Sequence, residues 1–395
     1  MPTVLPTALP TVLSTMLTTR EIIVVCGPGG VGKTTTAAAM GVAAVLDHDA
    51  RVLVLTVDPA RRLATALGLE AIGNTETPVP TNAFENANLK PRGELWFAML
   101  DTKKSWDDLV QRHAPDAATA QAIKANPLYD NITGRFVQSH DYIAMERLYE
   151  IHLSGRYDLI IVDTPPSRNA IDFLDAPERM ADFFSSRFLR WLIAPYRSKF
   201  VSMASRPFMQ LADRVLGSDF LQQIADFFVL FQTMYDGFVE RATAVDRLLH
   251  DRRTDFVVVS TLETAPASEA SFFIDALTKR GFSLRAIVAN KCLPSSLASA
   301  DAARLARSLL KPGGVDAIAA ALDKATAAEP LLESVLVSAA MNFERLAITA
   351  TKQRDLLRAF ERTGAGVTSV PLQLNDVHDI GQLAQLAQSL NPQHL

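Results

Sequence analysis

Residues 27–34 read Gly27-Pro28-Gly29-Gly30-Val31-Gly32-Lys33-Thr34, a full match to the pattern G-x-x-x-x-G-K-[ST]. Few short motifs constrain a chain so strongly. The glycines let successive backbone N–H groups turn inward around an anion, and Lys33 adds a positive charge for β- and γ-phosphates. The Thr34 hydroxyl is a ligand of the type that Mg²⁺ takes, and a helix N-terminus completes the cradle. The surroundings agree: the apolar run at 22–26 reads as a buried strand, and the alanine-rich segment 35–46 reads as a helix. This combination predicts nucleotide binding, with Gly29, Gly30, Val31, Gly32, Lys33, Thr34 and Thr35 around the phosphates.

The chain alternates in the same style along most of its 395 residues. Strands are expected at 21–26, 51–57, 95–101, 157–163, 254–260, 284–290 and 367–371, several of them continuous Val/Ile/Leu runs. Helices are expected near 32–46, 60–68, 138–153, 265–280, 300–325 and 379–390. The pattern predicts an α/β fold with a doubly wound, mostly parallel sheet whose ligands collect at the carboxyl ends of the strands. Two stretches, 104–150 and 176–250, show helical periodicity without convincing strands and are expected to form an inserted helical subdomain. The nucleotide domain then comprises 20–103, 151–175 and 251–395, with 71–94 as an irregular connection. Residues 1–19 carry no charge, and Pro2, Pro6 and Pro10 interrupt any helix there. With no basic region ahead of the apolar part, a mobile extension is expected rather than a targeting segment.

Two more strand ends carry carboxylates. Strand 51–57 runs into Asp58-Pro59-Ala60, where Asp58 is placed to orient a water or meet Mg²⁺ near the γ-phosphate, to cap the next helix, or both. Strand 157–163 ends in Asp163-Thr164-Pro165-Pro166. An apolar strand closing on aspartate is the Walker B arrangement for Mg²⁺, although a plain strand-end turn has the same appearance. Asn290 closes strand 284–290, and its amide can both donate to and accept from a base edge.

Together these residues resemble the ArsA-like ATPases, the soluble engines of arsenite pumps and of tail-anchored membrane-protein targeting. That group shares a deviant phosphate loop with the Min and Par ATPases and nitrogenase iron protein. The likeness runs from about residue 20 over nearly the whole chain and implies a P-loop fold of SIMIBI type. It implies that Asp58 in Asp58-Pro59-Ala60 positions the attacking water and that Asp163-Thr164-Pro165-Pro166 begins switch II. It also implies that Asn290 contacts adenine, and that Val370-Pro371-Leu372 with Asn375-Asp376-Val377 closes over the base. The expected cofactors are ATP or ADP with Mg²⁺. The expected assembly is a homodimer or a heterodimer with a related ATPase, cytoplasmic, with a membrane-protein client or a peripheral membrane partner.

Three departures shape the expectation. Pro28 stands where the family carries a second lysine that reaches the partner's phosphates, which points to a low-turnover switch as an alternative. Arsenite-binding cysteines have no counterparts, because Cys26 and Cys292 abut the nucleotide site; pump energising is the weaker alternative. The CxxC that clamps zinc between protomers is also absent. The net charge of −4 sets aside a general nucleic-acid binder.

Eleven of the 20 phenylalanines fall between 173 and 238, and Phe220, Ile224, Phe227, Phe231, Tyr235 and Phe238 follow helical spacing. Two readings stand: the core of the helical subdomain, or a groove for an apolar client helix. Between Arg187 and Arg206, five basic residues interleave with aromatics, either as a solvated edge or as a surface for anionic lipid.

Overall fold

The structure, a computed structural model, describes residues 12–57, 73–135, 137–165, 218–315, 329–373 and 375–390, with a few isolated positions between them. Eight strands form one sheet: β1 (Ile22–Cys26), β2 (Arg51–Thr56), β3 (Thr77–Pro78), β4 (Glu94–Met99), β5 (Leu159–Asp163), β6 (Thr254–Thr261), β7 (Leu284–Cys292) and β8 (Gly366–Pro371). Their order is β3-β4-β2-β5-β1-β6-β7-β8. All neighbours are parallel except the two-residue edge pair β3–β4. The expected doubly wound sheet is therefore the fold, and its seven long strands lie where the apolar runs place them. β1 is buried at every position, as a central parallel strand covered on both faces must be.

Alternate side chains of β1 feed two cores. Ile23 and Val25 face α1 (Val12–Thr19), α2 (Lys33–Asp47) and α13 (Ile380–Leu390). Ile22, Val24 and Cys26 face the other core, which the helices between β4 and β6 and the helix after β6 share. Small residues let α2 lie close to the sheet; a Cβ on Gly41 would come within 2.7 Å of the Val54 side chain. The stretches expected to form the helical subdomain, called the subdomain below, hold α4 (Thr102–His113), α5 (Ala117–Ala125), α6 (Pro127–Arg135), α7 (Val137–Leu153), α8 (Ser218–Phe231) and α9 (Tyr235–Leu249), with α3 (Thr81–Glu85) in the connection before β4. Asp101 and Asp116 cap α4 and α5 by accepting from the N–H groups of Lys104 and Thr119. Beyond the subdomain come α10 (Thr264–Lys279), α11 (Ala300–Leu309) and the 33-residue α12 (Glu329–Glu361).

The helix expected near 300–325 ends at Leu309, and two further expectations change. Residues 12–19 of the expected mobile extension form α1, because Leu13, Met16 and Leu17 share one helical face and bury it in the core with α2. All three prolines of that segment precede the helix. The second change concerns 329–361, to which the sequence pattern assigns no element and which forms α12. Of the phenylalanine-rich insert, Phe227, Phe231 and Phe238 are core: each is almost fully buried, and Phe231 and Phe238 pack against Trp106. The reading of Phe227 and Phe231 as a client groove is thereby corrected. The basic aromatic stretch 187–206 lies outside the described residues.

Candidate nucleotide site

The site forms where β1 gives way to α2. Gly27, Gly30 and Gly32 all have positive φ, at 137°, 75° and 96°. Two of them are also forced by proximity: a Cβ on Gly27 would meet the Val259 carbonyl oxygen at 2.1 Å, and one on Gly32 would meet Asn290 Nδ2 at 2.5 Å. Gly32 is the residue preceding α2 and has no side chain to cap it, so the first-turn N–H groups are open to an anion. Lys33 begins the helix, is buried, and donates from Nζ to the Pro28 carbonyl oxygen at 3.0 Å.

Parallel register sets Val25, Thr56 and Asp163 side by side at one level of the sheet. Asp163 is fully buried. Its Oδ2 accepts from Thr34 Oγ1 at 2.6 Å and from Thr56 Oγ1 at 2.9 Å. Two hydroxyls and a carboxylate make a set of hard oxygen donors, which suits Mg²⁺ in chemistry. Thr56 was not anticipated from the sequence; its signal is its place at the end of β2, level with Asp163. The next residue, Thr164, donates from its N–H and its hydroxyl to the Val25 carbonyl, tying the start of the 163–166 segment to β1.

On the other side, Asn290 donates from Nδ2 to the Val31 carbonyl at 2.8 Å and accepts through Oδ1 from the Lys291 N–H at 2.9 Å. In this arrangement its amide fastens β7 to the phosphate loop. Pro371 is the register partner of Cys292 and, with Leu372, Gln373, Asn375, Val377, Gln382 and Gln385, lines a cavity of about 240 Å³. The structure thus gathers Gly29 to Thr35, Asp163 and Asn290 about one loop, with Pro371 one strand further along. Asp58 follows Val57, whose N–H donates to the Asp163 carbonyl, but Asp58 itself lies outside the described residues.

Neither cysteine offers a thiolate here. Burial pushes the Cys26 thiol far up against the opposing charge of Lys33, and burial also raises Cys292. Away from the loop, His113, Glu146 and Glu150 place ligand atoms within 4.8 Å of one another. Arginines already occupy those carboxylates: Arg241 Nε donates to Glu146, and Arg112 meets Glu150 at 2.6 Å. That group is a charge-compensated tie between α4, α7 and α9.

Comparison with known proteins places the chain in a family. The ArsA ATPase family, described as anion-transporting ATPases, matches residues 20–319. The chain belongs to that family. It is 28% identical over 274 residues to an uncharacterized protein of Streptomyces coelicolor, covering 69% of this chain and 62% of that one. It is 24% identical over 278 residues to the ATPase ASNA1 homolog of Plasmodium berghei, covering 68% and 62%. The ATPase ASNA1 homolog 1 of Paramecium tetraurelia is 26% identical over 278 residues, covering 70% and 76%. The chain therefore spans about three fifths of the first two relatives' lengths.

Proposed function

We propose that this chain binds and hydrolyses ATP with Mg²⁺ and uses the cycle to move its helical subdomain. The observation that carries the reading is the convergence of Thr34, Thr56 and Asp163 beside a glycine-built loop and the buried Lys33. Thr34 and Asp163 would hold Mg²⁺, which when bound screens phosphate charge and orients the γ-phosphate. Lys33 would leave the Pro28 carbonyl for phosphate oxygens, and the N–H groups from Gly29 to Thr35 would cradle them. Asp58 would orient the attacking water, as its place after β2 and the family resemblance both suggest, and it would meet the metal through water. Asn290 and Pro371 would border the adenine.

The assembly we propose is a homodimer, or a heterodimer with a related ATPase, acting on a membrane-protein client or partner. With Phe227 and Phe231 in the core, a client surface falls to other residues. Among the described residues no helix is long and apolar enough to cross a membrane. Pro28 supports a second reading, a nucleotide switch of low turnover, because the loop then brings one lysine to the phosphates instead of two. Arsenite-pump energising is the weaker alternative, since both thiols are held protonated by burial.

The test is ATP binding and hydrolysis by wild type and Asp163→Asn, with Mg²⁺ and with a chelator. The variant is expected to keep binding in chelator while losing the Mg²⁺-dependent gain and the hydrolysis. A wild-type protein that binds no ATP would overturn the proposal; one that binds tightly but turns over no faster than Asp58→Asn would leave the switch reading in its place.

A further inference from the structure

From Val52 to Val57 the chain is aliphatic at every position except Thr56. Threonine has the shape of valine, and Thr56 is fully buried, so its hydroxyl would cost stability there without a partner. Asp163 supplies one: Thr56 Oγ1 donates to its Oδ2 at 2.9 Å. The same oxygen accepts from Thr34 Oγ1 at 2.6 Å. One carboxylate oxygen thus takes hydroxyls from both sides, because β5 lies between β2 and β1, and Thr34 belongs to the helix that follows β1.

The two hydroxyls differ in freedom. Thr34 is half-buried in the first turn of α2, beside the anion cradle, where a bound cation would take its oxygen. Thr56 is held by its backbone on both sides. It is the register partner of Asp163 on β5 and of Met99 on β4, and its carbonyl accepts the Leu100 N–H at 2.9 Å. Its β-branched side chain also has few rotamers. The Asp163 carboxyl, by contrast, turns about a soft torsion, so the groups that donate to it set its orientation. Thr56 is the donor that stays in place when Thr34 turns to a metal.

We infer that Thr56 is a positioning residue of the cation site: its hydroxyl holds the Asp163 carboxylate in place while Thr34 and Asp163 take Mg²⁺. The inference rests on the Mg²⁺-ATP reading above and deepens it, since Thr56 itself touches neither metal nor phosphate. Partners of this kind, which bond to a ligand rather than to the metal, set how tightly the metal is held.

The test measures ATP affinity against Mg²⁺ concentration, with a chelator as the zero point, for wild type, Thr56→Val and Thr56→Ser. Thermal melts of the nucleotide-free proteins run beside it. Valine keeps the shape and removes the hydroxyl, whereas serine keeps the hydroxyl and removes the methyl. In Thr56→Val the Mg²⁺ concentration that gives half of the affinity gain is expected to rise about tenfold to a hundredfold. Its ATP affinity in chelator is expected to match wild type, and Thr56→Ser is expected to respond to Mg²⁺ as wild type does. A Thr56→Val protein with the wild-type Mg²⁺ response would overturn the inference, whatever its melting temperature, and leave Thr56 a structural partner of a buried acid. Equal losses in Thr56→Val and Thr56→Ser would overturn it too, assigning the effect to packing of the methyl group. Should Thr56→Val not fold, Thr56→Cys, whose thiol is a weak donor, takes its place with the same expected direction and the same overturning result. A wild-type protein whose ATP affinity ignores Mg²⁺ would instead remove the Mg²⁺-ATP reading itself.

Discussion

Asp163 and Glu146 are both carboxylates almost fully shielded from water, and they are partnered differently. Asp163 sits at a strand end and accepts from two threonine hydroxyls. Glu146 sits within a helix of the subdomain and accepts from the Arg241 guanidinium and, at 2.6 Å, from the Tyr142 hydroxyl. Hydroxyls can turn and share a carboxylate with an incoming cation, so the Asp163 group can change partners at modest cost. A part-buried guanidinium cannot leave without stranding the buried carboxylate's charge, so the Glu146 group is fixed. Burial of an acid alone does not mark chemistry; what matters is whether its partners can exchange.

Lysine and arginine sharpen the contrast. Lys33 donates to the Pro28 carbonyl of its own loop, a contact that phosphate oxygens would replace. Lys33→Ala is therefore expected to lower ATP hydrolysis about a hundredfold to a thousandfold, while leaving the melting temperature within a few degrees. Hydrolysis assays and thermal melts on the same preparation check both halves. A large fall in melting temperature would mean that Lys33 is as structural as Arg241, and the comparison would fail.

Glu146→Gln is the mirror experiment, with a smaller effect. The amide keeps a hydrogen bond to Arg241 but removes its counter-charge in a buried place, which costs about 2 kcal/mol of stability. The folded fraction should hydrolyse ATP at the wild-type rate, because α7 carries no residue of the phosphate loop. Denaturant unfolding followed by turnover per folded molecule measures it. A loss of turnover at full folding would couple the two carboxylates through the subdomain.

This division explains how much the sequence could disclose. The long strands were legible because a parallel strand covered on both faces must be a continuous apolar run. The phosphate loop, Asp163 and Asn290 were legible because each abuts such a run. The left-handed backbone of Lys291 and its reach to the Gly30 carbonyl were not, since nothing local in Asn290-Lys291-Cys292 announces them. Thr56 meets Asp163 only through strand register, and the ties from Glu146 to Arg241 and from Arg241 to His113 join helices 95 and 128 residues apart in the chain. The helix α12 was missed for another reason: exposed Val335, Met341, Leu346 and Ile348 spread its apolar residues around the axis, so no single face stands out. In α1 the neutral, proline-led composition hid three residues that the core takes up.

The smallest expected effect concerns protons at the fixed cluster. Burial first, then the charges of Arg241 and Arg112, hold His113 below its ordinary value of about 6.5. The unfolded chain therefore takes up the proton before the folded one, and stability falls as pH drops through about 6.5 toward the lowered folded value. His152, also depressed by burial, acts in the same direction. Glu146 works oppositely: burial raises it, so stability is lost as pH climbs from about 4.5 through its raised value. Because the His113 ring is partly exposed, its share should be under about 1 kcal/mol. His113→Asn should flatten the fall in melting temperature between about pH 7 and pH 5.5 without abolishing it, His152 supplying the remainder. A melting profile identical to wild type across that range would show that neither burial nor the Arg241 guanidinium holds His113 down in the folded chain, and would reduce the fixed cluster to Glu146, Arg241 and Tyr142.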